Sequence, residues 1–215
     1  MPNSDSNFLR TIILLSVCFA FSGTTSSLTV SASSIVGYEI AGNKALATLP
    51  IAFHLIGTML AGIPASLLMK RVGRRYGFMI GTGIGAIGAA AATFSIIYSN
   101  FVLFCISIFC LGILSGFTQL YRFTAADVAS QEFRTKAVSL VMFGGILAGF
   151  IGPAVASKAK DLIADAPFAG SYLFVILFHV LIVAILFMIR LPLPSLEEQT
   201  GESRPYKEIF SQPKF

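Results

Sequence analysis

The stretch Lys70-Arg71-Val72-Gly73-Arg74-Arg75-Tyr76-Gly77 decides how the rest of the chain is read. Four cations in six residues cannot rest in hydrocarbon, yet apolar runs flank them, 45–69 before and 78–98 after. Each run is long enough to cross a bilayer core of about 30 Å as a helix, so the basic stretch is predicted to be a tight loop at the membrane surface. Lys and Arg gather on cytoplasmic loops, which points this hairpin inward and orients every other span by alternation.

Working outward, the same criteria predict spans over 11–36, 101–123, 137–156 and 168–189, making an all-α membrane protein with six transmembrane helices. Residues 1–10 then form a cytoplasmic N-terminus. Residues 191–215 form a polar cytoplasmic segment, read as a linker. Apolar residues make up 55% of the 215, charged residues only 12%, and the mean hydropathy is +0.82, values that exclude an ordinary soluble domain. The net charge of +5 raises nucleic acid as a partner, but the charges sit in short loops and at the ends, so they act as topology determinants. Of 15 Lys and Arg, 11 fall on the inner side (Arg10, Lys70, Arg71, Arg74, Arg75, Arg134, Lys136, Arg190, Arg204, Lys207, Lys214) and three outside (Lys44, Lys158, Lys160), with Arg122 unassigned. The bias places both termini in the cytoplasm.

Cys18, Cys105 and Cys110 lie inside spans without the spacing of a zinc site or disulfide framework, and read as small core residues. No nucleophile and base pair, metal cluster or phosphate loop is visible, so neither an enzyme nor a cofactor is expected. The N-terminal apolar run continues too far for a signal peptide and reads as the first span.

Span one is rich in hydroxyls. Ser22, Thr25, Ser26 and Thr29 share a face that either lines a wet cavity or simply bonds back to its own helix and packs closely. In span two, Gly57, Ala61 and Ala65 make a small-residue seam beside His54, a residue that at membrane depth is either a functional group or a neutral ring bonded to a neighbour. Gly77, Gly81, Gly85 and Ala89 repeat the seam in span three. Ser115, Gln119 and Arg122 are spaced to share one face of span four. Arg122 is read either as an interfacial anchor or as a cation facing a cavity. In span five, Gly149, Gly152 and Pro153 predict a kink. His179 in span six reads as structural.

Six spans with Arg71, Gly73, Arg74 and Arg75 between the second and third resemble the N-terminal half of a transporter of the major facilitator superfamily (MFS). The family's loop pattern is roughly Gly-x-x-x-Asp-Arg-x-Gly-Arg-Arg, and here Ser66 and Lys70 replace its glycine and aspartate. The resemblance implies a charge cluster in which Asp127 pairs with Arg74 or Arg75, with Arg134 seven residues further on. It also implies a multi-pass protein of the plasma membrane that moves a small organic solute by alternating access, against a second six-helix half or a second copy. The stretch Gly149-Phe150-Ile151-Gly152-Pro153 partly resembles a span-five motif of drug and proton antiporters. No Asp or Glu lies inside any of the six spans, so proton coupling would need His54 or another half. A homodimeric six-span carrier, or a scaffold or receptor on the same fold, are the competing readings.

Overall fold

The computed structural model describes residues 2–189 and 191, all of the regular structure being helical. Its helices are α1 (Pro2–Ile40), α2 (Leu49–Val72), α3 (Arg74–Ile97), α4 (Phe101–Thr118), α5 (Tyr121–Val128), α6 (Arg134–Ala159) and α7 (Ala169–Met188). Six stretches are long and apolar enough to cross a membrane, with α4 and α5 forming one of them over Phe101–Val128. The expected linker 191–215, with Arg190, Arg204, Lys207 and Lys214, lies outside the described residues except for Leu191.

Span ends differ from those the composition suggests. Backbone hydrogen bonding carries a helix past its apolar section, so α1 runs from Pro2 and takes in most of the expected N-terminal segment. The basic loop contracts to one residue. Gly73 breaks the chain between α2 and α3 with φ 89° and ψ 156°, a backbone region essentially closed to residues with a Cβ. Lys70 and Arg71 therefore stand in the last turn of α2, and Arg74 and Arg75 in the first turn of α3.

Close approach of small residues sets the packing. A Cβ on Gly57 would lie 2.4 Å from the Phe109 carbonyl oxygen, and one on Gly112 would lie 2.2 Å from that of His54, so α2 and α4 meet backbone to backbone. On the opposite side α1 meets α6, where a Cβ on Gly144 would lie 2.7 Å from the Ser16 carbonyl oxygen.

The buried apolar residues form two clusters. One holds Leu15, Cys18, Phe78, Phe117, Tyr121 and Ile182, and the other Leu28, Ala89, Phe104, Leu111, Tyr172 and Val175. Along four of the five helices that contribute to both, the intervening turns carry buried polar groups, Ser22 and Thr25 on α1, Thr82 on α3, Ser115 on α4 and His179 on α7, whereas α6 carries the small residues Gly144, Ala148 and Gly152 there. A polar layer thus crosses the bundle between two greasy ones.

Candidate functional site

Three of the sequence-predicted cavity residues meet in that layer. Ser26 Oγ lies 2.5 Å from Ser115 Oγ, which lies 3.4 Å from His54 Nε2, linking α1, α4 and α2. Ser26 and Ser115 fall near the middle of the spans Phe8–Ile40 and Phe101–Val128, so the group sits at mid-depth. His54 is 4% exposed and its Nδ1 is buried without a partner. Ser26 is half-buried and forms the open end of the chain of contacts. The site can exchange hydrogen bonds but offers no fixed charge, because 11–38, 45–69 and 101–121 contain no Asp, Glu, Lys or Arg.

The other hydroxyls of the predicted face turn inward. Ser22, Thr25 and Thr29 are fully buried, and Thr25 donates to the Phe21 carbonyl at 3.2 Å. Much of the hydroxyl content of α1 works as adhesive between helices. Ser16 donates to the Leu140 carbonyl of α6 at 2.9 Å, and Ser33 lies 3.4 Å from the Tyr172 hydroxyl of α7.

Ser115, Gln119 and Arg122, expected on one face, lie in different surroundings. Leu120 N–H bonds to the Phe117 carbonyl at 3.0 Å, a three-residue closure that tightens the turn between α4 and α5 and shifts the helical phase of α5. Ser115 is buried, Gln119 is exposed, and Arg122 is half-buried with its guanidinium 4.9 Å from the Phe123 ring centre.

α6 continues through Pro153 as one helix. Proline removes the N–H that would bond the carbonyl four residues back, and Ser27 Oγ of α1 donates to that Gly149 carbonyl at 3.4 Å. Gly152 is the contact that brings α1 close enough, since a Cβ there would lie 2.6 Å from Ser27 Cβ. Counting back four from the proline could have found the orphaned carbonyl. Nothing in the sequence names Ser27 as its partner.

At the Gly73 end, Arg74 of α3 donates to the Asp127 carboxylate of α5, and its other terminal nitrogen donates to Thr124 Oγ1 at 3.1 Å. Arg75 does a different job, donating to the Phe187 carbonyl at 3.1 Å and so filling an acceptor left open at the end of α7. Arg71 is exposed, as is Arg134 at the first position of α6, where it takes no part in the Arg74–Thr124–Asp127 bonds. His179 of α7 lies 2.5 Å through Nδ1 from its own helix carbonyl at Val175, and Nε2 points at Gly85 of α3, where a Cβ would come within 2.5 Å. Because half of the Asp127 side chain is exposed, its pairing contributes about 0–1 kcal/mol. Asp127→Asn is therefore expected to leave thermal stability in detergent nearly unchanged while shifting the conformational balance by up to about fivefold. Cysteine accessibility on the Gly73 side would reveal the shift, and an unaltered pattern would reduce the pair to a solvated contact.

The sequence profile of the Major Facilitator Superfamily matches residues 14–215. The chain belongs to that superfamily. It is 33% identical over 210 residues to the riboflavin transporter RfnT of Brucella anthropi, a match covering 96% of this chain and 52% of the relative. It is 29% identical over 205 residues to the uncharacterized MFS-type transporter YdeG of Bacillus subtilis, covering 92% of this chain and 47% of that protein. The chain thus spans about half the length of the curated relatives it matches. Among solved structures, the E. coli fucose:proton symporter FucP superposes with a TM-score of 0.66 at 17% identity, covering 86% of this chain and 50% of that one. A POT family peptide transporter superposes with a TM-score of 0.63 at 14% identity, covering 87% and 39%. Membership and six apolar helices make this MFS chain a multi-pass integral membrane protein.

Proposed function

We propose that this chain forms one six-helix half of a secondary transporter, with the Ser26–Ser115–His54 group as part of its solute site. Riboflavin, or another uncharged polar solute of that kind, is the first candidate cargo. One observation carries the reading: a hydrogen-bonding group without fixed charge lies at mid-depth where α1, α2 and α4 meet, in a chain whose similarity to a riboflavin transporter runs along 96% of its length. Alternating access needs a second body to close the site, either a further six-helix bundle or a second copy. The α2 and α6 spans favour such a body, each being only 22% buried over its most apolar window.

The distribution of Lys and Arg supports an orientation with the Gly73 junction and both termini in the cytoplasm of a plasma membrane. Cysteines placed at Asn43 and Asp161 should then react with an impermeant reagent added to intact cells, and protection at both would reverse the orientation. Transport is tested by reconstituting the 215-residue chain in proteoliposomes, once as a cross-link-verified monomer and once with a facing bundle, and measuring uptake of riboflavin and a panel of neutral polar solutes. Uptake is expected only with the facing bundle. Normal uptake by the monomer refutes the two-body site, and uptake of other solutes but not riboflavin rejects the cargo.

A further inference from the structure

Resting on the reading of the Ser26–Ser115–His54 group as the solute site, we propose that Gln119 is a specificity-determining residue beside it, whose side-chain amide pairs with an imide or lactam edge of the solute. The amide stands at the floor of a cleft between α1 and α2.

Contacts along those two helices outline the cleft. At the end remote from Gly73 they touch, since a Cβ on Gly37 would strike the Ala47 carbonyl oxygen and lie 3.3 Å from Pro50 Cγ. At mid-depth both meet α4, Ser26 and His54 each approaching Ser115. Toward Gly73 they part. There α1 leans on α6 and the turn before it, Ser16 donating to the Leu140 carbonyl at 2.9 Å and the Phe8 ring centre lying 5.5 Å from that of Phe133. α2 leans instead on α3, where a Cβ on Gly77 would strike the Met69 side chain.

Gln119 lies where the two helices have separated. Its N–H bonds to the Ser115 carbonyl at 3.3 Å, so the helical phase still holds and the two side chains leave α4 about 40° and about 6 Å apart. Ser115 is 6% exposed, whereas Gln119, one turn on, is uncovered. Hydroxyls nearby close on their own helix, as Thr118 does on the Leu114 carbonyl at 2.9 Å, but the Gln119 amide makes no hydrogen bond to a described residue. A primary amide inside the span Phe101–Val128 is costly against lipid, so its partner has to come from the cleft.

The amide sets the chemistry of that partner. It holds an acceptor oxygen and a donor nitrogen side by side. An imide or lactam edge, a carbonyl next to an N–H, meets both at once through two parallel hydrogen bonds. A carboxylate or an N-methylated imide brings no donor for the oxygen. Riboflavin carries an imide edge, and so does the unrelated solute uridine.

Two measurements on the assembly with a facing bundle test this. Without solute, Gln119→Cys should react with a charged methanethiosulfonate at least about tenfold faster than Ile106→Cys, because a charged reagent is excluded from hydrocarbon. Ile106 is 51% exposed and lies about 140° round α4 from Gln119, away from the cleft. The wild-type chain, with Cys18 and Cys105 buried and Cys110 half-buried, gives the background. In uptake, riboflavin should be preferred over 3-methylriboflavin, and uridine over 3-methyluridine, by about tenfold in kcat/KM, the scale of one lost hydrogen bond that leaves its partner unpaired. Gln119→Leu should bring both ratios to about one by raising KM for the parent compounds while leaving the methylated ones unchanged. His54→Leu reports on the mid-depth group separately, since it should lower parent and methylated compounds alike. An unreactive Gln119→Cys, a preference that persists in Gln119→Leu, or uptake of neither imide would each overturn the proposal. Discrimination within the uridine pair without riboflavin uptake would reject the cargo and uphold the role of Gln119.

Discussion

Replacing Gly112 by alanine is expected to break the α2–α4 crossing and with it the candidate site. The added Cβ would come within 2.2 Å of the His54 carbonyl oxygen and 2.9 Å of its carbonyl carbon. Those atoms belong to a helix backbone and cannot swing aside like a side-chain tip, so α2 as a whole must move. Overpacking of a close-packed interior costs about 1–3 kcal/mol when side chains can adjust, and a backbone clash belongs at or above the top of that range. The thermal midpoint of the purified chain in detergent should fall clearly, and His54 should lose its contact with Ser115. Gly62→Ala is the control on α2: nothing lies within 4 Å of a Cβ there, so removing a flexible residue from a helix should leave stability equal or raise it by up to about 1 kcal/mol. Equal midpoints for Gly112→Ala and the wild type would show that the two helices do not meet as described.

His54→Leu is expected to do the reverse, sparing the fold and removing transport. Leucine is apolar and of similar bulk, and Ser115 would keep Leu111 and Ser26 as partners, so stability should change little. What disappears is the polar ring of the proposed solute site. Losing a hydrogen bond to a buried neutral partner costs about 1–3 kcal/mol, which is roughly 5- to 150-fold in kcat/KM for uptake by the proposed two-bundle assembly. The loss should be specific, since Asp127→Asn touches no atom of the group. Full uptake by His54→Leu would move the solute site elsewhere, with the half-buried Arg122 next to be tested.

Much of the architecture is legible in the residues alone. Six apolar runs, separated by charged loops and, after the third, by the polar turn Tyr98-Ser99-Asn100, demand six helices, because a lipid-exposed backbone has few other ways to satisfy its hydrogen bonds. The four-residue glycine and alanine seams announced close helix contacts, and the Arg-x-Gly-Arg-Arg junction carried the family resemblance. These are local properties, set by hydropathy, charge and the missing Cβ, and they survive whatever each helix packs against.

Partnership was not local, and only the tertiary structure decided it. Span one shows eleven hydroxyls to a reader of the sequence, and nothing in their spacing says that Ser27 serves the carbonyl freed by Pro153 while Ser26, one residue earlier, reaches Ser115 and through it His54. The two side chains leave α1 about 100° apart, so one faces α6 and the other α4. Arg74 and Arg75 are equivalent by composition, yet one meets Asp127 and the other the end of α7, for the same reason of helical phase. Ser115, Gln119 and Arg122, spaced to share one face, are buried, exposed and half-buried in turn, because what covers each position is decided by the neighbouring helices. Sequence determined which segments cross the membrane and how closely they can approach; which hydroxyl or cation meets which neighbour depended on the rotation of each helix about its axis, and that is set only when all six pack together.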